Sequence, residues 1–125
     1  MNVSLSGYEL RAVQASLNET LHGPRHVNLG DDFQAVTGLT KDQGEALCHS
    51  LLDVINRGNA PELRPAIGPR AEQIDLEQQA VNGLVAALQR CIECMKADGD
   101  FRARMNLSRV DAVALKQKLA ALLEQ

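Results

Sequence analysis

Two cysteines three residues apart are the clearest candidates for chemistry in this chain. Cys91 and Cys94 form a C-x-x-C motif, the spacing of zinc sites and of redox-active dithiols. A zinc site needs four ligands, and the adjacent Cys48 and His49 would point about 100° apart on a helix. A redox pair needs the start of a helix to stabilise its thiolate, whereas these cysteines lie near the predicted end of one. A metal or redox switch at Cys91 and Cys94 is therefore an alternative function and not the expected one.

No other residues have the spacing of a known catalytic or cofactor-binding motif. His22 and His26 flank a short loop, but no Asp, Glu or Cys stands beside them at a metal-ligand spacing. The nine glycines are scattered with no two adjacent, so no glycine-rich phosphate loop is present. The GxSxG, HExxH, Walker and GxGxxG patterns are all missing. We therefore expect a protein without enzymatic activity, and we predict no cofactor and no metal.

The charge of the chain argues against nucleic-acid binding as its main role. The net charge is −3, whereas phosphate binders usually carry an excess of Lys and Arg. Only residues 96–125 are basic, with six basic and four acidic groups. This stretch offers a possible contact patch for phosphates or for an acidic protein face, or otherwise a solvated helix face. The patch consists of Arg102, Arg104, Arg109, Lys116 and Lys118.

Composition and periodicity predict an all-α protein of about six helices. Leu and Ala carry most of the apolar content, and both favour helix over strand. Apolar residues recur at steps of three and four, and Ser6, Thr40 and Ser108 stand where N-caps are expected. The helices are predicted from Ser6 to Gly23, from Asp31 to Thr37, from Thr40 to about Asn56, from Ala71 to Lys96, from Phe101 to Met105, and from Ser108 to about Leu123.

No apolar run approaches the roughly 20 residues that span a bilayer. The first ten residues lack the basic start and apolar stretch of a secretory signal. An odd number of cysteines argues against a disulfide framework. We expect a cytoplasmic protein that has no membrane partner.

An internal repeat predicts that the chain uses one unit of three helices twice. Residues 32–56 match residues 100–124 at an offset of 68, with seven identities that include the only two phenylalanines. Upstream, the stripe that starts at Leu10 matches residues of the fourth helix at an offset of 74. The predicted units are residues 1–57 and 71–125, which share one core, joined by a linker over 58–70 that Leu63 and Ile67 hold in place. The predicted repeat core consists of Phe33, Phe101, Leu39, Leu107, Leu47 and Leu115.

This repeat makes two further predictions about the structure. The two phenylalanine rings should occupy equivalent sites, each as a wedge between the helices of its unit. Neither terminal segment should form a sheet. Gly83 interrupts the fourth helix, so a close contact or a bend is expected there.

The stretch DFQAVTGLTKDQGEALCHSLLDVI resembles a helix-turn-helix unit, and DFRARMNLSRVDAVALKQKLAALL is similar. Gly38 and Asn106 fit the turn position, where a positive φ is needed. Leu39 and Leu107 fit the apolar position after the turn, and Leu47 and Leu115 fit the later packing position. The resemblance implies a possible DNA-binding role for the second helix of each unit.

Departures from this pattern weaken the implication. The small residue usually found four positions before the turn glycine is replaced by Gln34 and Arg102, and the Val or Ile usually six positions after it is replaced by Gly44 and Ala112. In the first unit, three carboxylates on the second helix would repel phosphates.

These observations favour a non-catalytic interaction or regulatory protein that binds a protein partner or itself. Homodimerisation through the long helix predicted over 71–96 is one form of this hypothesis. A DNA-binding regulator that uses the C-terminal unit is the main alternative.

Overall fold

The computed structural model of the protein describes residues 1–58 and 71–124, and this part of the chain is mainly helical. The predicted all-α class is confirmed. The predicted linker, with Leu63 and Ile67, lies almost entirely outside the described residues. The elements are β1 (Asn2–Ser6), α1 (Gly7–His22), α2 (Phe33–Thr37), α3 (Lys41–Gly58), β2 (Ala71–Asp75), α4 (Gln78–Cys94), α5 (Asp98–Met105) and α6 (Arg109–Leu123), with a single 3-10 turn at Gly30–Asp32 before α2.

The two strands form a small antiparallel sheet that the sequence analysis did not predict. β1 pairs with β2 so that Val3 lies opposite Ile74. The prediction that neither terminal segment forms a sheet is therefore wrong at the N-terminus, and the prediction of a helix from residue 71 is wrong for residues 71–77, because α4 begins at Gln78. The physical reason is that buried and exposed side chains alternate along both strands. Val3 and Leu5 are buried and Ile74 is half-buried, whereas their neighbours in each strand are more exposed. The fourth helix consequently has 17 residues.

The predicted N-caps are confirmed at three helices. The Ser6 hydroxyl accepts a hydrogen bond from the backbone N–H of Glu9, whose carboxylate accepts one from the N–H of Ser6. Thr40 and Gln43 form the same reciprocal pair before α3. At α6, the Ser108 hydroxyl accepts from the N–H of the third helical residue. Local sequence therefore fixes where these helices begin.

Both predicted turns have the left-handed backbone expected of them. Gly38 has φ 78° and Asn106 has φ 63°, and each residue ends a short helix. The helix before Asn106 begins at Asp98 and not at Phe101 as predicted. Asp98 and Asp100 lie in its first turn, where their negative charges stabilise the positive end of the helix.

The predicted close contact at Gly83 is also confirmed. A Cβ placed on Gly83 would lie 2.5 Å from Cδ1 of Leu39, so the missing side chain lets α4 approach the turn between α2 and α3.

The predicted core is right in the main and wrong in one helix. Phe33, Phe101, Leu39 and Leu115 are buried, whereas Leu107 and Leu47 are only partly buried. In α3, the predicted core residue Leu47 lies beside the buried stripe and not on it, and Ala46 is exposed. The buried residues of α3 are Gly44, Cys48, Leu51 and Ile55.

The two halves of the described chain follow the same order of elements, a strand and then three helices. α1 packs against α3, and α4 packs against α6 in the same way. The short helices are exchanged, because α2 contacts α4 and α5 contacts α1. α1 and α4 meet at the centre. This arrangement gives the halves one shared core, and descent of both from one unit stays a prediction.

Burial matches α1 to α4 at an offset of 71, not the predicted 74. This offset also brings the N-cap of α1 onto that of α4, and Leu5 onto Leu76. The matched buried pairs are Leu10 with Val81, Ala12 with Gly83, Val13 with Leu84, Ser16 with Ala87, Leu17 with Leu88, and Thr20 with Cys91. We use offsets of 71 for β1–α1 and 68 for α2–α3 to name equivalent positions below.

No helix in the described residues is long and apolar enough to cross a membrane.

Candidate functional site

The C-x-x-C cysteines do not form a common site. Cys91 is fully buried on the inner face of α4, and its thiol points to the backbone oxygen of Ser16 on α1. Cys94 is half-buried one turn later. Burial, together with the charge of Glu19, raises the pKa of Cys91 to about 12. This thiol is therefore protonated at neutral pH, which disfavours both nucleophilic and metal-binding roles.

The described residues contain no group of three or more His, Cys, Asp or Glu side chains that could hold a metal ion. Cys48 is buried against α1, where its sulfur accepts a hydrogen bond from the Gln14 amide at 3.3 Å. Burial raises the pKa of Cys48 as well. Its contact with Gln14 is a helix-to-helix packing contact far from the C-x-x-C motif in sequence.

Four of the five residues of the predicted basic patch contact partners within the protein. Arg104 contacts Glu19 at 3.2 Å and Asp100 at 3.0 Å, and its hydrogen bond to the Asp100 carboxylate together with the Glu19 charge raises the pKa of Arg104. Lys118 contacts Glu9 at 3.0 Å, which joins α6 to the first turn of α1.

Arg109 and Lys116 hold α6 against α4. The Arg109 guanidinium donates to the backbone oxygens of Ile92 and Met95 at the end of α4, and its Nε lies 3.0 Å from Asp98. The same guanidinium lies 4.6 Å from the centre of the Phe101 ring. Lys116 donates to the side-chain oxygen of Gln89 on α4. These contacts explain the basic residues of α6 by folding alone.

Arg102 differs from the other four residues of the patch. Its side chain is exposed on α5 and has no ion pair among the described residues. It lines a cavity of about 240 Å³ with residues of α1. The structure therefore does not present the five basic residues as one free surface.

The largest open feature that we describe is a groove of about 630 Å³, here named the α4–α6 groove. It runs between the end of α2 and the outer faces of α4 and α6. Its lining is mostly apolar, and the exposed fraction of Val36 is 47%. The residues that shape it are Val36, Gln79, Asn82, Val85, Ala86 and Ala120.

A second groove adjoins the first at Gln79, whose side-chain amide donates to the backbone oxygen of Gly38 at 2.8 Å. It lies between α3 and the start of α4, with a wall that includes Leu47. Asp75 and Glu77 are among its lining residues, whereas no carboxylate of the described residues lines the α4–α6 groove. The two grooves together form a mainly apolar face, and these two carboxylates are its acidic border.

At four of the six equivalent positions, the other half of the protein carries a larger side chain. At the position of Val36 stands Arg104, which folds onto Glu19. Only the 240 Å³ cavity opens near that face among the cavities described. Larger side chains also stand opposite Gln79, Asn82 and Ala120, namely Tyr8, Arg11 and Leu52, whereas Ala86 stands opposite Ala15 and Val85 opposite Gln14. The α4–α6 groove therefore coincides with smaller side chains at four of the six residues that shape it.

The sequence analysis missed this groove, because no short motif marks it. One available signal was the pairing of Val36 with Arg104 at the repeat offset of 68, since an apolar residue stands opposite a charged one at an exposed position.

Comparisons with known protein families, with characterised proteins and with solved structures find no match to this chain.

Proposed function

We propose that this protein is a non-catalytic interaction protein, and that its α4–α6 groove binds an amphipathic helix of a partner protein. The observation that carries this proposal is the contrast between the two halves. Val36 and Ala120 line the groove on one half, whereas the larger Arg104 and Leu52 stand at the equivalent positions of the other. An open apolar groove of this size in a small protein favours a binding role.

The shape of the groove favours a helix as the occupant. Ala86 and Ala120 line it from neighbouring helices, and such small side chains let another helix come close. Val36 and Val85 offer apolar contacts for residues spaced three and four apart on a partner helix.

The acidic border sets the expected charge of the partner. Asp75 and Glu77 line the adjoining groove, and Lys116, the only cation among the described residues that line the α4–α6 groove, donates a hydrogen bond to Gln89. We therefore expect Lys or Arg beside the apolar stripe of the partner helix. A second copy of this chain fits less well, because it carries the same acidic border and a net charge of −3. α4 also packs against three helices of its own chain, which leaves little of it for a dimer.

The absence of a catalytic motif in the sequence and the raised pKa values of the two buried thiols support a non-enzymatic role. All three cysteines are free, which favours a reducing compartment such as the cytoplasm.

The two alternative functions have less support. A DNA-binding role would need basic residues that instead contact Glu19, Glu9, Asp98 and Gln89. DNA retardation at low and high salt tests it, because phosphate binding weakens steeply with salt. A metal switch at the C-x-x-C motif would give stoichiometric zinc in the purified protein.

Quantitative affinity capture with matched variants tests the proposed function. Val36→Arg introduces into the groove an arginine, the residue that stands at the equivalent position 104 of the other half. Val110→Arg makes the same change at a valine that is 78% exposed and lines no described groove. We expect a partner protein that the wild type and Val110→Arg retain equally and that Val36→Arg loses at least tenfold. Circular dichroism confirms that both variants fold. If no protein depends on Val36, the groove is not a protein-binding site.

A further inference from the structure

A small cavity between the start of α1 and the end of α5 carries two arginines. It has a volume of about 240 Å³ and is lined by Tyr8, Arg11, Arg102 and Asn106. Tyr8 lies in the first turn of α1, and Asn106 is the left-handed residue that ends α5. We name this site the α1–α5 cavity.

The charges of the α1–α5 cavity are not balanced within the described part of the chain. No carboxylate lines it, and neither Arg11 nor Arg102 forms an ion pair with a described residue. The Nε atom of Arg11 is buried and has no hydrogen-bond partner there. A buried N–H donor without an acceptor is rare in folded proteins and calls for an explanation.

The fold does not require these charges. At the equivalent positions of the other half stand Gln34 for Arg102, Asn82 for Arg11 and Gln79 for Tyr8, and the helices pack there in the same arrangement. The arginine pair is therefore a feature of this one cavity and not a condition for building the unit.

We propose that the α1–α5 cavity binds the phosphate group of a ligand. A guanidinium presents its donors as a planar fork that fits phosphate oxygens, and two of them balance a dianion. The Tyr8 hydroxyl and the Asn106 amide supply further donors. The first turn of α1 adds the positive end of a 16-residue helix.

This phosphate site is distinct from the α4–α6 groove, and the two proposals fail separately. The phosphate group has two possible sources, a small phosphorylated metabolite and a phosphorylated side chain of a protein. Both sources share the dianionic group that the arginines recognise. The experiment separates them by the probe used.

In the test, the full chain is titrated separately with inorganic phosphate, glycerol 3-phosphate and a phosphoserine octapeptide. Binding is measured from the shifts of amide signals in two-dimensional NMR spectra at low ionic strength. We expect saturable shifts at Tyr8, Arg11, Arg102 and Asn106 with at least one probe. Tighter binding of the octapeptide than of glycerol 3-phosphate identifies a protein source, and the reverse order identifies a metabolite. Loss of the second phosphate charge near pH 6 should weaken binding.

Variants make the result specific to the cavity. Arg102→Gln changes an exposed side chain and should weaken binding about tenfold, as loss of one charged hydrogen-bonding group does. Arg11→Gln should weaken it similarly. Arg25→Gln, at an exposed loop arginine that lines no described cavity, should leave it unchanged.

Three results would overturn the assignment. The first is that none of the phosphate probes binds saturably. The second is that Arg102→Gln and Arg25→Gln change the affinity for phosphate to the same extent. The third is that acetate binds as tightly as phosphate.

Discussion

Arg109 gives the sharpest test of the conclusion that the basic residues of α6 serve the fold. Its guanidinium donates to two backbone oxygens at the end of α4, contacts Asp98 at 3.0 Å and lies over the Phe101 ring. Only 27% of its side chain is exposed. Arg109→Ala removes all of these contacts at once and leaves the last carbonyls of α4 to be hydrated by water.

The expected cost of Arg109→Ala follows from these contacts. Hydrogen bonds from a charged group contribute about 1.5–3 kcal/mol, and the contact with the ring adds about 0.5–1 kcal/mol. Because the contacts share one side chain, they are not additive, and we expect a loss of about 2–3 kcal/mol in the free energy of unfolding. For a chain of this length, that corresponds to a decrease in Tm of about 10 °C.

Lys41 is the matched control, because it stands at the equivalent position at the start of α3. Its side chain is 57% exposed, and its one ion pair within the described part of the chain is with Asp31, at 3.5 Å. Lys41→Ala should cost less than about 0.5 kcal/mol. Urea denaturation of both variants, followed by circular dichroism, measures the difference. If Arg109→Ala costs no more than Lys41→Ala, Arg109 is a surface residue and the predicted contact patch regains its support.

Three further predictions concern packing and thiols. Gly44→Ala should lower the free energy of unfolding by about 1–3 kcal/mol, because the new Cβ would lie 2.6 Å from the Phe33 ring. Gly83→Ala should lower it less, because the flexible end of the Leu39 side chain can move away from the new Cβ. Chemical denaturation of both variants measures the difference. In the folded protein the pKa of Cys91 is raised from 9.0 to about 12, so the unfolded chain loses this proton at a lower pH than the folded chain. The free energy of unfolding therefore keeps this contribution in full below pH 9 and decreases by up to about 1 kcal/mol per pH unit between pH 9 and 12. Cys91→Ala should remove this part of the pH dependence, as measured by denaturation midpoints. At pH 8 in native buffer, a thiol reagent should modify half-buried Cys94 at least ten times faster than Cys91, as mass spectrometry of the labelled peptides measures; equal rates would contradict the burial described.

The helices were predictable because their signals are local. The Ser6–Glu9 and Thr40–Gln43 pairs mark helix starts within four residues of sequence. The left-handed turn at Gly38 is equally local, because it depends on the backbone freedom of one residue.

The strands were missed although a signal existed. Val3 and Leu5 alternate with polar residues, as do Ile74 and Leu76, but each run is only five residues long. A five-residue alternation is compatible with one helix stripe, and pairing of β1 with β2 brings together residues about 70 positions apart. Such long-range pairing is a property of the whole fold, so the local pattern alone did not decide it.

The candidate sites were the least predictable part. The sequence identified the basic residues but not their partners, because the contact of Arg104 with Glu19 joins α5 to α1 across 85 positions. It also could not separate Arg102, which lines the α1–α5 cavity, from Arg109, which supports the end of α4. Residue type and spacing along the chain are the same for a folding contact and for a binding contact.

Site-specific photo-cross-linking tests the central claim most directly, namely that the α4–α6 groove binds a partner helix. A photoreactive phenylalanine derivative at Val36 lies in the groove, and the same residue at Val110 lies outside it. We predict that position 36 captures one protein, through a segment with apolar residues three and four apart and adjacent Lys or Arg, and that position 110 does not. Equal capture at both positions, or none at position 36, would contradict the account.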